Sequence, residues 1–182
     1  MQHRADDISI EALGDSGLIL RLPQRIDATQ NQLVQRLAHS LRSAPIDGVV
    51  DVVPAYASLA LIFDARALAS RADAVSAIRA EVERRLSQRD ALFLPTPRRV
   101  VLDVRYGGED GPDLLEVAAR TGLSAEEVVR RHCAPDYRVA LIGFQPGFPY
   151  LLGLDEKLAV PRHDTPRVRV PAGSVAIGGA QT

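Results

Sequence analysis

The chain contains no tryptophan, one cysteine (Cys133) and one lysine (Lys157). With a single cysteine, no disulfide can form within the chain, which fits a reducing compartment. The 22 basic and 23 acidic residues nearly cancel, so that the formal net charge is -1, and no block of like charge stands out. This balance gives no support for a nucleic-acid partner or for binding to an anionic membrane.

Long apolar runs are also missing. The longest lies at residues 59–63, and it is far shorter than the about 20 residues that a membrane-spanning helix needs. Residues 1–10 are charged and lack the apolar centre of a signal peptide. We therefore expect a cytoplasmic protein with no membrane partner. Because 46% of the 182 residues are hydrophobic, the chain can fold into one or two globular domains.

The first half of the chain carries two pairs of strand patterns. Residues 6–13 and 17–22 are typical of strands, and the turn chemistry of residues 14–17 between them predicts a hairpin. Two further strands are expected at residues 47–53 and 57–64, separated by Pro54.

Two helix patterns alternate with these strands. The first helix begins after Asp27, a good N-cap with Gln30 placed for a capping box, and its predicted buried stripe is Leu33, Leu37 and Leu41. The second helix covers about residues 70–88 and is expected to expose its arginines and to bury Val75, Ile78, Val82 and Leu86. The resulting order β-β-α-β-β-α predicts an N-terminal two-layer α/β sandwich over residues 1–90.

The second domain, residues 91–182, follows a boundary at Pro95-Thr96-Pro97. Residues 100–106 alternate as a strand. The glycine-rich residues 107–113 fit no nucleotide-binding fingerprint, so that a tight turn is favoured, with Pro112 in the first turn of a helix. Helices are expected at residues 112–121, ended by Gly122, and from the capping box at Ser124 to Cys133. Further strands are expected at residues 137–143, 167–170 and 174–178.

His132 and Cys133 end the last of these helices. The helix dipole favours a histidine cation at this position. Cys133 has no candidate metal cluster and no catalytic partner in the sequence, so we expect a small buried side chain.

Residues 143–150 hold two glycines, two prolines and the three aromatics Phe144, Phe148 and Tyr150. This composition predicts a stiff, irregular loop that is neither strand nor helix. Its rings either plug the end of a barrel or form one wall of a ligand pocket, and composition alone favours the plug.

Arginines follow prolines further along the chain, in Pro161-Arg162 and Pro166-Arg167. Arg167 and Arg169 alternate with valines, which is the pattern of a strand with one cationic face. A group of arginines suits a carboxylate or phosphate ligand. The alternative is a solvated strand face, the commoner environment of charged side chains.

Several of these stretches together resemble one known family. They are IGFQPGFPYL at residues 142–151, GLD at 153–155, the two Pro-Arg pairs, VPAGSVAIGG at 170–179 and PAYASL at 54–59. They resemble the KipI / allophanate hydrolase subunit 1 family. Members of that family continue past the position of Thr182 with Tyr-Pro and Ser-Pro-Gly-Gly-Trp, so the second domain is expected to be incomplete at its C-terminus.

The resemblance implies an α+β protein in which residues 91–182 belong to a cyclophilin-like β-barrel. The family includes the B subunit of ATP-dependent 5-oxoprolinase, so the resemblance implies a subunit that helps to open 5-oxo-L-proline to L-glutamate. Because the sequence contains no complete set of catalytic residues, we expect the chain alone to be inactive. ATP with Mg would act at the level of the complex. The expected partners are a C subunit of the KipA / allophanate hydrolase subunit 2 type and an A subunit of the LamB/YcsF type.

The resemblance also suggests roles for the residues singled out above. Arg162 and Arg167, with Gly173 and Ser174, are candidates for binding an anion, while Arg169 is expected to matter less. The pocket wall would be Phe144, Pro146, Phe148 and Tyr150, and His132 would transfer a proton; no metal site is expected. Two alternatives remain open from the family names: an inhibitor of a sensor histidine kinase, or a carboxyltransferase-like subunit for urea or allophanate.

Overall fold

The computed structural model describes residues 8–23, 25, 27–64, 66 and 73–182. The chain divides into two compact units, Met1–Pro97 and Arg98–Thr182. No helix among the described residues is both long enough and apolar enough to cross a lipid bilayer. Independent folding of residues 1–90 and 91–182 remains a prediction.

The first unit contains a four-stranded antiparallel sheet with the order β1-β2-β4-β3. Its strands are β1 (Ser9–Ala12), β2 (Gly17–Arg21), β3 (Val49–Pro54) and β4 (Ser58–Phe63). Among the described residues, two helices accompany the sheet, α1 (Ala28–Ser43) and α2 (Ala74–Ser87), and a short 3-10 turn follows at Arg89–Ala91. Residues 6, 7 and 70–72 of the predicted elements lie outside the described part of the chain.

One face of this sheet forms the core of the first unit. In β4 every second side chain is buried, because neighbouring residues of a strand point to opposite faces. Leu61 and Leu59 lie opposite Leu18 and Leu20 of β2, and all four side chains are essentially inaccessible to solvent. The core is therefore built on the two central strands.

Helix α1 covers this core. The Asp27 side chain accepts a hydrogen bond from the backbone N–H of Gln30 at 2.8 Å, as the N-cap prediction required. Leu37 and Leu41 are buried, but Leu33 is only partly buried. Residues four apart drift around a helix of 3.6 residues per turn, so the buried stripe is completed by Val34 and Ala38.

Helix α2 differs from its predicted burial. Ile78 and Val82 are buried, but Val75 is 42% exposed. Arg85, expected in solvent, is only 7% exposed. Its guanidinium donates to the carbonyls of Ser40 and Ala44, both at 2.7 Å. The last carbonyls of a helix have no partner within the helix, and Arg85 supplies donors to the end of α1.

The second unit begins with two helices, α3 (Leu114–Thr121) and α4 (Ala125–Cys133). Gly122 ends α3 with a φ of 68°, and the Ser124 side chain accepts from the Glu127 N–H at 3.1 Å, so both predicted caps are confirmed. A two-stranded antiparallel sheet follows, β5 (Arg138–Ile142) with β6 (Pro149–Leu152), and then a 3-10 turn at Glu156–Leu158.

The mostly-β prediction for this unit is wrong for the described residues. Residues 100–106, 167–170 and 174–178 are not strands, and helix α3 begins at Leu114 with Asp113 as its N-cap rather than at Pro112. A strand needs a hydrogen-bonded neighbour, and these segments have none among the described residues beyond the isolated bridges Val160–Gly179 and Gly178–Gln181. The architecture is a mixed α/β fold with antiparallel sheets, and the described residues form no closed barrel.

Candidate functional site

An aromatic ladder lies on the hairpin between β5 and β6. The Gly143 N–H donates to the Phe148 carbonyl at 3.0 Å, which closes a tight connection. The rings of Phe144 and Phe148 lie 5.7 Å apart, and those of Phe148 and Tyr150 lie 5.2 Å apart, both edge to face. This geometry is the favoured one for aromatic pairs. Three of the four predicted wall residues, Phe144, Phe148 and Tyr150, are therefore brought together.

Two features of residues 143–150 differ from the prediction. The segment is not wholly irregular, because Pro149 and Tyr150 belong to β6 and pair with Ile142 and Leu141. Proline is tolerated at the first position of a strand. Phe144 has a left-handed φ of 65° and is 80% exposed. Its ring therefore faces solvent and plugs nothing in the described part of the unit, and Pro146 is exposed beside it.

His132 is the buried centre of a second cluster. The hydroxyl of Tyr106 lies 2.5 Å from its Nδ1 atom, and the hydroxyl of Thr182 lies 3.2 Å from its Nε2 atom. The rings of Tyr106 and Tyr137 lie 5.8 Å and 5.6 Å from the imidazole. Tyr137 also donates to the backbone carbonyl of His132 at 2.8 Å. The cluster thus ties the end of α4 to Tyr106 and to Thr182.

The hydrogen bonds define the tautomer of this histidine. The Thr182 hydroxyl donates its only proton to the Ala176 carbonyl at 3.0 Å, so it accepts from Nε2–H of His132. A neutral imidazole then has Nδ1 as its acceptor, and this atom accepts from the Tyr106 hydroxyl. The Tyr106 oxygen lies 3.4 Å from Sγ of Cys133, whose S–H can donate to it. Such a chain of donors and acceptors reinforces each of its bonds.

Burial changes the titration of these groups. Desolvation lowers the pKa of His132, so the structure favours the neutral ring, and the predicted cation at the helix end is wrong. Burial is also the main cause that raises the pKa of Tyr106, and it raises that of Tyr137 to about 12. Cys133, predicted to be buried, is exposed. The helix dipole is outweighed because the imidazole has left water.

Arg167 is paired with a residue that the sequence analysis did not single out. Its guanidinium donates from both terminal nitrogens to the two carboxylate oxygens of Asp113. Nε2 of His163 lies 3.3 Å from the same carboxylate. The Arg167 hydrogen bond is the main cause that lowers the pKa of Asp113 to about 2. Aspartate is a favoured N-cap residue, but the sequence places the helix start at Pro112, and the pairing of Asp113 with a residue 54 positions away has no sequence signal.

Asp113, Glu116 and His163 also form the only group with metal-ligand chemistry among the described residues. One ligand atom from each lies within 4.8 Å of the others. However, Arg167 occupies both oxygens of Asp113, and Arg120 pairs with Glu116 at 2.7 Å. The carboxylates therefore already have cationic partners from the chain itself.

The remaining candidates lie on an exposed segment, residues 161–176. Arg162 lies across Gly178, where a Cβ would come within 3.2 Å of its Nε atom. The Ser174 hydroxyl donates back to the Pro171 carbonyl at 2.8 Å, next to Gly173 in a left-handed turn with a φ of 81°. Arg162 and Arg169 make no hydrogen bond or ion pair with any described residue.

The structure therefore gives two separate groups rather than one pocket. No hydrogen bond or ring contact among the described residues joins Phe144 or Phe148 to Arg162, Arg167 or Arg169. His132 belongs to neither group, because its contacts are Tyr106, Tyr137 and Thr182.

Known proteins resemble almost the whole chain. The family model "Carboxyltransferase domain, subdomain C and D" matches residues 8–182. The B subunit of 5-oxoprolinase from Bacillus subtilis (strain 168) is 37% identical over 178 residues, which cover 95% of this chain and 74% of the relative. The protein of the same name from Escherichia coli O157:H7 is 39% identical over 171 residues, 93% of this chain and 74% of the relative.

A solved structure agrees with these relatives. The crystal structure of TTHA0988 in space group P6522 has a TM-score of 0.72 and 40% sequence identity, over 91% of this chain and 30% of that chain. This chain thus spans less than a third of that protein. The resemblance found in the sequence motifs is confirmed, and the chain belongs to the KipI / allophanate hydrolase subunit 1 family, within the carboxyltransferase domains of subdomain C and D type and alongside the proteins named as the B subunit of 5-oxoprolinase.

Proposed function

We propose that this chain acts as the B subunit of a 5-oxoprolinase, which opens the lactam of 5-oxo-L-proline to L-glutamate with ATP. The observation that carries the proposal is the 37% identity over 95% of the chain to a protein of that name. A five-membered lactam resists hydrolysis near neutral pH, so phosphoryl transfer to its carbonyl oxygen is a reasonable activation. Such a reaction needs cations for the phosphate and for the substrate carboxylate.

Arg162 and Arg167 are the cations that we assign to this role. Arg162 makes no ion pair with any described residue, so its charge remains for a ligand. Gly173 and Ser174 contribute less than the sequence suggested, since the Ser174 N–H and hydroxyl both donate to Pro171. Arg169 lacks a described ion pair as well and is retained as a secondary cation.

The aromatic ladder is assigned to the apolar ring of the substrate. Phe148 and Tyr150 pack edge to face beside the exposed Phe144 and Pro146, and such an aromatic surface suits a small apolar ring. His132 is the candidate for proton transfer, but both its nitrogens are hydrogen bonded. To exchange a proton with substrate, the imidazole would first have to release Thr182 or Tyr106.

ATP and Mg are assigned to the complex and not to this chain. The described residues offer arginines for phosphate, but the acidic side chains Asp113 and Glu116 are already paired with arginines. When bound, ATP would supply the phosphoryl group that activates the lactam. The proposed partners are a C subunit of the KipA / allophanate hydrolase subunit 2 type and an A subunit of the LamB/YcsF type, and the chain alone is expected to be inactive.

We also propose that Arg98–Thr182 is part of a cyclophilin-like barrel. Residues 102–106 alternate apolar and polar side chains after the apolar Val100 and Val101, yet the backbone of residues 98–106 makes no hydrogen bond with any described residue. Val101 and Leu102 are 82% and 72% exposed. An extended, apolar segment of this kind is stable only when another strand pairs with it. Hydrogen exchange at residues 98–106 should be fast in this chain and slow in the assembled enzyme; fast exchange in both would refute the barrel.

The function is tested by reconstitution. We would mix the chain with the two partner subunits and measure L-glutamate release from 5-oxo-L-proline with and without ATP. Release that needs ATP and all three proteins supports the proposal, whereas turnover by the chain alone, or none by the mixture, contradicts it.

The family description names a carboxyltransferase domain, which favours the alternative of a carboxyltransferase-like unit, and the name of the resembled family suggests urea or allophanate as its substrate. The same mixture is therefore assayed with these two compounds in place of 5-oxo-L-proline. Turnover of urea or allophanate without turnover of 5-oxo-L-proline would support this second function.

A further inference from the structure

We propose that Asp113 is a positioning residue for Arg167, and that the guanidinium held in this way binds an oxyanion of the substrate. This inference rests on the proposed function, since it names the residue that prepares an anion site for that reaction. The oxyanion is either the carboxylate of 5-oxo-L-proline or a phosphate of ATP.

The pairing leaves part of the guanidinium available. Arg167 donates one N–H from each terminal nitrogen to the two oxygens of Asp113. An arginine has five N–H donors, so three remain, and they have no partner among the described residues. The remaining set includes Nε–H and a terminal N–H on the same side, which can bind a second oxyanion with two parallel hydrogen bonds.

The guanidinium of Arg167 needs a partner that fixes its position, because the segment that carries Arg167 is not fixed by a helix or a strand. Residues 161–176 are exposed and contain no regular secondary structure. The segment is closed at its base by Gly179, whose N–H donates to the Val160 carbonyl at 2.7 Å. In its middle, the side chains of Arg167 and His163 contact Asp113. A guanidinium that is already held loses less freedom when a ligand binds.

Asp113 is itself well placed for this task. It is the N-cap residue of α3, so its backbone is fixed by a regular element. The carboxyl group of Asp113 stays ionised, because the hydrogen bond from Arg167 lowers the pKa of this group. The opposite role for Asp113, competition with the substrate for Arg167, predicts an opposite change in KM, and kinetics can separate the two.

The experiment uses the reconstituted complex with four variants of this chain: Asp113→Asn, Arg167→Lys, the double variant, and Glu127→Gln as control. Glu127 is half-buried and pairs with Arg130 and Arg131 on α4 at 2.6 Å and 2.7 Å, so its change removes a paired carboxylate elsewhere. KM and kcat are measured for 5-oxo-L-proline and for ATP. In parallel, NMR of the chain alone follows the terminal N–H signals of Arg167, which report whether its guanidinium is held.

We expect Asp113→Asn and Arg167→Lys each to raise KM about tenfold for one of the two substrates, with kcat near the parent value. The substrate affected identifies the oxyanion. The KM of the double variant should be no higher than that of the more affected single variant. Both substitutions remove the same feature, the Arg167 guanidinium held by Asp113, so their effects do not add. Of the variants that keep Arg167, Asp113→Asn should average the terminal N–H signals of this residue into one. Glu127→Gln should show the separate signals and the KM of the parent.

Two results would overturn the inference while leaving the proposed function intact. One is an unchanged KM in Asp113→Asn although the Arg167 signals average. The other is a lowered KM in Asp113→Asn, which would make Asp113 a competitor of the substrate. A parent complex that does not turn over 5-oxo-L-proline refutes the proposed function itself, and the inference with it.

Discussion

Nδ1 of His132 lies 2.5 Å from the hydroxyl oxygen of Tyr106, and this contact holds a neutral imidazole in the interior of the second unit. The opposite nitrogen donates to Thr182, which itself donates to the Ala176 carbonyl. Because both nitrogens are used by neutral partners, protonation of the ring adds a buried charge with no facing carboxylate among these contacts. The pair therefore makes the stability of the second unit sensitive to pH.

The first prediction concerns this pH dependence. Burial lowers the pKa of His132 below its ordinary value of 6.5, so the unfolded chain binds more protons than the folded chain on acidification. The free energy of unfolding should therefore be greatest above about pH 6.5 and should fall as the pH drops below that value. Thermal melting at pH 7.5 and at pH 5.5 checks the sign.

His132→Gln should lose this part of the pH dependence. His163→Gln should keep it, because His163 is exposed. A parent chain that melts at a higher temperature at the lower pH would contradict the assignment of a buried neutral ring.

A second prediction compares two adjacent arginines of α2. Arg85 is buried and donates to Ser40, Ala44 and Glu81, so Arg85→Ala should destabilise the chain by about 3 kcal/mol. Arg84 pairs with Glu81 in solvent, and exposed ion pairs contribute little. Urea unfolding of Arg85→Ala and of Arg84→Ala is the measurement. Equal unfolding midpoints of the two variants would show that the buried contacts of Arg85 do not stabilise the fold.

A third prediction concerns the exposed edge of the first sheet. At Val52 in β3, the backbone N–H donates to the Asp51 side chain and the carbonyl accepts from Arg42, both at 2.7 Å. Free edges invite pairing with other strands. Arg42→Ala should therefore increase self-association in sedimentation experiments. Arg21→Ala, which removes an exposed ion pair with Glu11, serves as control; identical behaviour of both variants would refute the edge-protection role.

A fourth prediction concerns the boundary between the units. Arg98 and Arg99 are exposed, and residues 93–99 make no backbone hydrogen bond with any described residue. Because exposed segments without backbone bonds are cut first, limited digestion with a protease of broad sequence specificity should cleave between residues 89 and 99 before it cleaves elsewhere. Primary cleavage within residues 47–64 would show that the boundary lies elsewhere.

The sequence by itself determined the local elements and the family. Asp27 and Ser124 cap helices, Gly122 ends one, and the strand expected at residues 57–64 is present as Ser58–Phe63. Each of these signals comes from residues only a few positions apart, where backbone geometry and side-chain periodicity act directly. The motif around Phe144 identified the family for the same reason, as a contiguous run of residues.

Only the tertiary structure decided which distant side chains meet. Tyr106 and His132 are 26 positions apart, His132 and Thr182 are 50 apart, and Asp113 and Arg167 are 54 apart. No periodicity links residues at such separations, because their approach depends on how the elements pack. The same reason explains the misjudged strand at residues 100–106: alternation shows that a segment can pair, but only the packed chain shows whether a neighbouring strand is there.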